Sequence, residues 1–138
     1  MFKFVGIFCI LFSFVLSASD TDLVIDSAYK IKKSLVKFEE MDKKALSANS
    51  DDETYEIFIS MKKFKKEYID EEVKALSEII GKIIKKTSYT KFEKSIKNIN
   101  PEIKTLIYDI TNDGFKYEKY VKTPYFNTTD NAMKMFGM

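Results

Sequence analysis

The stretch SYTKFEKSIKNINPEI, Ser88 to Ile103, decides the fold class. Two helix starts are written into it. Thr90-Lys91-Phe92-Glu93 carries a hydroxyl and, three residues on, a carboxylate, the pattern of a capping box whose side chains satisfy backbone N–H groups of the first turn. Asn100 then supplies an N-cap oxygen, and Pro101 fills the first helical position, where a missing N–H costs nothing. Tyr89, Phe92, Ile96 and Ile99 recur at steps of three and four, and Ile103, Ile107 and Ile110 continue the stripe. The stretch therefore predicts two short amphipathic helices joined at an Asn-Pro turn.

Working outward, the same period dominates. Before the stretch, Ile69, Val73, Leu76, Ile80 and Ile83 form a stripe, and Asp70, Glu71 and Glu72 are suited to the positive end of a helix dipole. Earlier still, Ser50 with Glu53 makes a capping box, followed by Ile57, Met61, Phe64 and Tyr68. The apolar register moves by about one residue near Ile69, which predicts a break or kink at Tyr68 to Asp70. A long first helix runs from Asp20 or Thr21 to about Ser47, with Val24, Ala28, Ile31, Leu35, Phe38 and then Met41 or Ala45 on one face. After the stretch, Gly114 is either a C-cap or a pass-through, because Tyr117 and Val121 keep the spacing. Thr123-Pro124 closes the helical region, and residues 124–138 read as a C-terminal tail. No segment alternates with period two. The expected fold class is all-α, with four or five amphipathic helices in a compact bundle over residues 19–123.

The chain opens like a targeting segment. Met1-Phe2-Lys3 is a short basic start, Phe4 to Leu16 carries no charge, and small residues offer cleavage points between Ser17 and Ser19. An apolar run of that length spans only about 20 Å as a helix, short of a hydrocarbon core of about 30 Å. Residues 1–18 are accordingly read as a signal peptide, and the product as secreted and extracellular, with no transmembrane segment after processing.

Its removal takes away Cys9 and Lys3, leaving 22 Lys against 21 acids, a net charge of +1. The sequence has no His, Arg, Trp or Gln. Disulfide scaffolds, thiol nucleophiles, Ser-His-acid triads and Cys/His zinc sites are thereby excluded, and so is phosphate recognition by an Arg fork. A domain without disulfides has to hold itself together by burial. Its 45% hydrophobic and 14% aromatic residues are out of place in a disordered chain and suit that demand.

Each charged or polar motif has a plain reading. Lys62-Lys63-Phe64-Lys65-Lys66 is a solvated helix face around one buried Phe, since a net charge of +1 without Arg is no signature of nucleic-acid or anionic-lipid binding. Asp51-Asp52 lacks the alternating ligands and glycine of a calcium loop. Glu71 and Glu72 are a carboxylate pair with nothing to mark them as buried partners, so no enzyme, catalytic residue, metal or cofactor is expected. Asn127-Thr128-Thr129 fits a glycosylation acceptor. Met133, Met135 and Met138 form an adaptable apolar group in the tail.

The apolar faces carry the functional expectation. Ile79-Ile80 and Ile83-Ile84 widen one helix face beyond a simple seam, and Leu106 with Ile107 extends the aliphatic surface that follows. Such excess lines a pocket, covers a partner or fills a closed interior. Ile69-Asp70-Glu71-Glu72-Val73-Lys74-Ala75-Leu76-Ser77-Glu78-Ile79, then Tyr89 to Glu93, Ile96 and Pro101-Glu102-Ile103, resembles the nematode fatty-acid- and retinol-binding proteins over Tyr68 to Ile110. A long helix precedes the matching block here, and little chain follows it to supply that family's C-terminal helices. The SXP/RAL-2-like secreted helical proteins are a second, looser likeness, resting on helix pattern and composition.

The resemblance implies a secreted, non-enzymatic carrier of a small hydrophobic ligand, a fatty acid or retinoid. Leu76, Ile80, Ile83, Ile84, Phe92, Ile96, Ile99, Ile103, Ile107 and Ile110 would then line the site, with Lys85 or Lys86 pairing the carboxylate. An empty rigid void of about 300 Å³ costs roughly 7 kcal/mol, comparable with a domain's whole stability, so an unliganded carrier of this size should collapse, hydrate or open a groove. The rival expectation is a secreted interaction protein, its partner unknown, whose same faces form a closed core.

Overall fold

The computed structural model describes residues 3–137, with side chains from Asp20 onward. The signal peptide expected over residues 1–18 lies outside the described side chains, as does Met138. Every described element is helical, as the spacing requires: α1 (Lys3–Leu46), α2 (Asp51–Phe64), a π turn (Lys65–Asp70), α3 (Glu71–Lys86), α4 (Tyr89–Ser95), α5 (Pro101–Thr111), a 3-10 turn (Tyr117–Lys119) and α6 (Pro124–Met135). They fall into two compact units. The first takes α1 up to Tyr29 together with Ala75–Gly114, and the second takes Lys30–Lys74 together with the chain from Phe115.

The first unit is an aliphatic core. Val24 and Ala28 of α1, Leu76 and Ile80 of α3, Phe92 and Ile96 at α4, and Ile103, Leu106, Ile107 and Ile110 of α5 are all at most 2% exposed. The Asn100 carboxamide oxygen accepts from the N–H groups of Glu102 and Ile103, with Pro101 at the first position of α5, as expected. Two local details differ. Ser88, not Thr90, caps α4, its hydroxyl accepting from the Lys91 N–H at 3.1 Å. The helix therefore starts two residues earlier, and Tyr89 lies on its exposed side. At the end of α5, the left-handed residue is Asp113 (φ 56) and not Gly114. The Gly114 N–H donates to the Asp109 carbonyl at 2.7 Å and the Asp113 N–H to that of Ile110 at 3.2 Å, a Schellman ending. Tyr117 and Val121 consequently do not prolong the helix; Tyr117 begins the 3-10 turn.

The second unit has an aromatic core. Phe38 of α1 meets Tyr117 and Phe126 edge to face at 5.6 and 4.9 Å, and Phe58 of α2 meets Tyr125 edge to face at 5.8 Å. Ser50 caps α2 by accepting from the Glu53 N–H, as expected. The core face of α2 is Phe58 and Met61, continued by Ile69, and not the expected Ile57, Met61, Phe64 and Tyr68. The π turn explains the difference. It inserts one residue into the helical count, so the buried face steps from Met61 to Ile69 without the expected break at Tyr68 to Asp70.

The expected tail is structured as well. Phe126 of α6 is 3% exposed, and α1 holds the helix start. Thr123 makes no side-chain cap, and Asp42, buried at 1% exposure, does that work from a distance. Its carboxylate accepts from the N–H of Phe126 at 2.7 Å and of Tyr125 at 3.3 Å. Glu39, almost one turn earlier, accepts from the Lys122 N–H at 3.2 Å. Asp42 thereby satisfies two donors that an uncapped helix start leaves orphaned, and Glu39, on the same face of α1, holds the backbone just before that start.

Candidate functional site

The expected ligand-lining residues are mostly spent on the core of the first unit. Leu76, Ile80, Phe92, Ile96, Ile103, Ile107 and Ile110 pack in its closed interior. Ile84 and Ile99 are half-buried, away from the groove described next.

The apolar surplus appears instead in an open groove of about 500 Å³ in the same unit. Its described lining is Leu23 of α1 with Ile79 and Ile83 of α3, rimmed by Lys82, Lys85, Lys86 and Asp20. Geometry follows from spacing. Ile79, Lys82, Ile83 and Lys86 are three or four residues apart, so α3 presents two isoleucines and then lysines along one edge. Val24 and Ile80 point inward, which turns their neighbours Leu23 and Ile79 toward solvent, Leu23 at 48% exposed. Ile83, Lys85 and Lys86 are thus the expected site residues that the groove retains.

Leu23, Ile79 and Lys82 are additions to the expected set. Each of the two apolar ones stands directly beside a core position, in Leu23-Val24 and Ile79-Ile80, which marks an apolar face wider than one seam, while packing decides which member of the pair the core takes. Lys82, Lys85 and Lys86 add three ammonium groups to the lining of the apolar trough, while Asp20 adds one opposing charge. Such a trough suits an aliphatic chain carrying an anionic head.

The second unit holds two further concavities. One, of about 620 Å³, lies between α1 and α2 and is lined by Met41, Ile57, Phe64 and Tyr68, which accounts for the side chains that the expected α2 stripe assigned to the core. Lys37 lies 5.5 Å from the centre of the Phe64 ring there. Phe64 is half-buried, and of the Lys-rich run Lys62, Lys63 and Lys66 are exposed while Lys65 is half-buried and paired with Asp70. The other, of about 480 Å³, is polar and includes Tyr117 and Asn127. The Asn127 carboxamide oxygen accepts from the hydroxyls of Tyr117 and Thr123, within α6. The expected glycosylation acceptor thus has its amide oxygen engaged and its nitrogen unengaged by these two bonds. Burial pushes the Tyr117 phenol up to about 12, assisted by the negative charge of Glu118.

Glu71 and Glu72 are both exposed, and Met135 is 85% exposed at the end of α6, beside Phe136. Among the described residues, no helix is long and apolar enough to cross a membrane, and no three acidic, His or Cys side chains gather at a metal-binding distance. Comparison with protein-family models, curated proteins and solved structures finds no match to this chain.

Proposed function

We propose that this chain is a secreted, non-enzymatic binding protein for an amphipathic carboxylate, a fatty acid or retinoid, held in the open groove of the first unit. The observation that carries the reading is the join of Leu23, Ile79 and Ile83 to a rim of Lys82, Lys85 and Lys86. The resemblance of Tyr68 to Ile110 to the nematode fatty-acid- and retinol-binding proteins supports the choice of ligand class. The aliphatic chain lies on the apolar floor, and the carboxylate sits among the lysines. An open trough desolvates only part of the ligand. At about 0.8 kcal/mol per fully buried CH₂, half-burial of a dozen methylenes gives about 5 kcal/mol before the cost of association, so without the lysines the Kd is no tighter than about 0.1 mM.

Titration with a fluorescent fatty acid tests the reading. Saturable binding is expected, weakened about tenfold in a Lys82→Gln, Lys85→Gln, Lys86→Gln triple variant and displaced by unlabelled fatty acid. Absence of saturable binding, with no lipid co-purifying in native mass spectrometry, rules the carrier out. The closed interior around Ile96, Ile103 and Ile107 favours the second reading, a helical interaction protein without a ligand. That protein would show neither saturation nor lysine dependence.

A further inference from the structure

The polar cleft of the second unit is independent of the lipid groove, and it is more than a fold in the surface. Two of its side chains come from the π turn. In an α-helix, residues five apart differ by about 140° around the axis and do not share a face. The π turn, closed by the Glu71 N–H donating to the Lys66 carbonyl, brings Lys65 and Asp70 to one side, where Lys65 Nζ binds both Asp70 carboxylate oxygens at 3.1 and 2.9 Å. The same ammonium lies 4.8 Å from the centre of the Tyr117 ring. Single π turns inside α-helices recur at functional sites, because they aim side chains that a regular helix would scatter.

The charges of the cleft identify what it would accept. Lys65, Lys116 and Lys134 face Asp70, Glu118 and Asp130, so the lining is neutral in sum. Two of the pairs are closed, Lys65 with Asp70 at 2.9 Å and Lys134 with Asp130 at 3.0 Å. The remaining two charges, Lys116 and Glu118, are exposed and opposite in sign, and the other polar groups are neutral carboxamides. Asn127 uses its carbonyl oxygen on Tyr117 and Thr123, leaving its NH₂ to donate, and the Asn131 carboxamide, one turn along α6, has no partner among the described residues. Phe115, half-buried and stacked on Tyr120 at 5.7 Å, gives the cleft a ring wall. Carboxamides and paired charges that exchange hydrogen bonds with hydroxyls, beside an aromatic wall for C–H faces, describe one ligand chemistry.

We infer that this cleft is a binding site for a neutral polyhydroxylated molecule of sugar size, with Asn127, Asn131 and the Lys65–Asp70 pair as its hydrogen-bonding groups and Phe115 as its stacking wall. The inference does not rest on the lipid reading.

Saturation-transfer NMR on the full chain with D-glucose, D-galactose, D-mannose and N-acetyl-D-glucosamine tests it, with glycine betaine and inorganic phosphate as the zwitterionic and anionic arms. Saturable millimolar binding of at least one sugar is expected. Asn131→Ala and Phe115→Leu should each weaken it about tenfold at unchanged helical circular dichroism, while the Lys82, Lys85, Lys86 triple variant should leave it intact. No saturable binding of any of the four sugars, a preference for betaine or phosphate, or sugar binding unchanged in Asn131→Ala overturns the assignment.

Discussion

The two units of this chain are held by different means. The first is filled by aliphatic side chains contributed at helical spacing, and its caps are local, Ser88 and Asn100 each serving the helix that follows it. The second is filled by edge-to-face rings, and its last helix is capped by a carboxylate from α1 that is 84 residues away from its nearest donor in sequence. Aliphatic packing tolerates repacking, whereas a buried carboxylate holding two N–H groups has one workable arrangement.

The largest effect should come from breaking the distant cap. Asp42→Ala leaves two buried N–H groups of α6 unpaired and is expected to cost about 3 kcal/mol, read from denaturant unfolding. Amide exchange should show the loss confined to α6 and its ring cluster, with α5 still protected. Asp42→Asn keeps one acceptor and should cost less. Equal loss of protection in both units would dissolve the contrast between them.

In the first unit the corresponding test is local and smaller. Ser88→Ala should cost about 1 kcal/mol, whereas Thr90→Ala, inside α4, should stay within about 0.5 kcal/mol. A reversal would return the cap to Thr90. Asp113→Gly should stabilise the chain by about 0.5 to 1 kcal/mol, because glycine takes the left-handed angle that Asp113 holds at φ 56.

Tyr117 contributes a pH dependence to the second unit. Its phenol binds a proton more tightly when folded, so its contribution is complete below pH 10 and is lost as the pH rises from about 10 to about 12. The difference in thermal midpoint between the parent chain and Tyr117→Phe should be flat below pH 10 and narrow above it. A difference that stays constant to pH 12 would assign Tyr117 a packing role alone.

The same contrast explains what was legible in the sequence. Val24, Ala28, Ile31, Leu35, Phe38 and Ala45 were readable as the core of α1 because burial there follows a period of 3.6 residues, and the Asn100-Pro101 start because its chemistry is contained in adjacent residues. Asp42 was not readable as core. A charged residue on the apolar face makes sense only once the start of α6 is known to need an acceptor, and nothing near Asp42 states that. Residues 124–138 looked like a tail for the same reason, since Phe126 is buried by partners far away in sequence. The register shift near Ile69 was visible, but a break and a π turn move the stripe alike. Of the groove, Ile83 was legible through the widened face of α3 and Lys85 and Lys86 through the resemblance, while for Leu23 the adjacent pair Leu23-Val24 was visible but which of the two faces inward is decided by packing.

The central claim is that an amphipathic carboxylate lies along the open groove and leaves the interior closed. Methyl-resolved NMR during titration with dodecanoate tests it most directly. Saturable shift changes at Leu23, Ile79 and Ile83, with Ile96, Ile103 and Ile107 unmoved, are the expected result. Shifts centred on those three interior isoleucines, or no saturable shift at all, would contradict it.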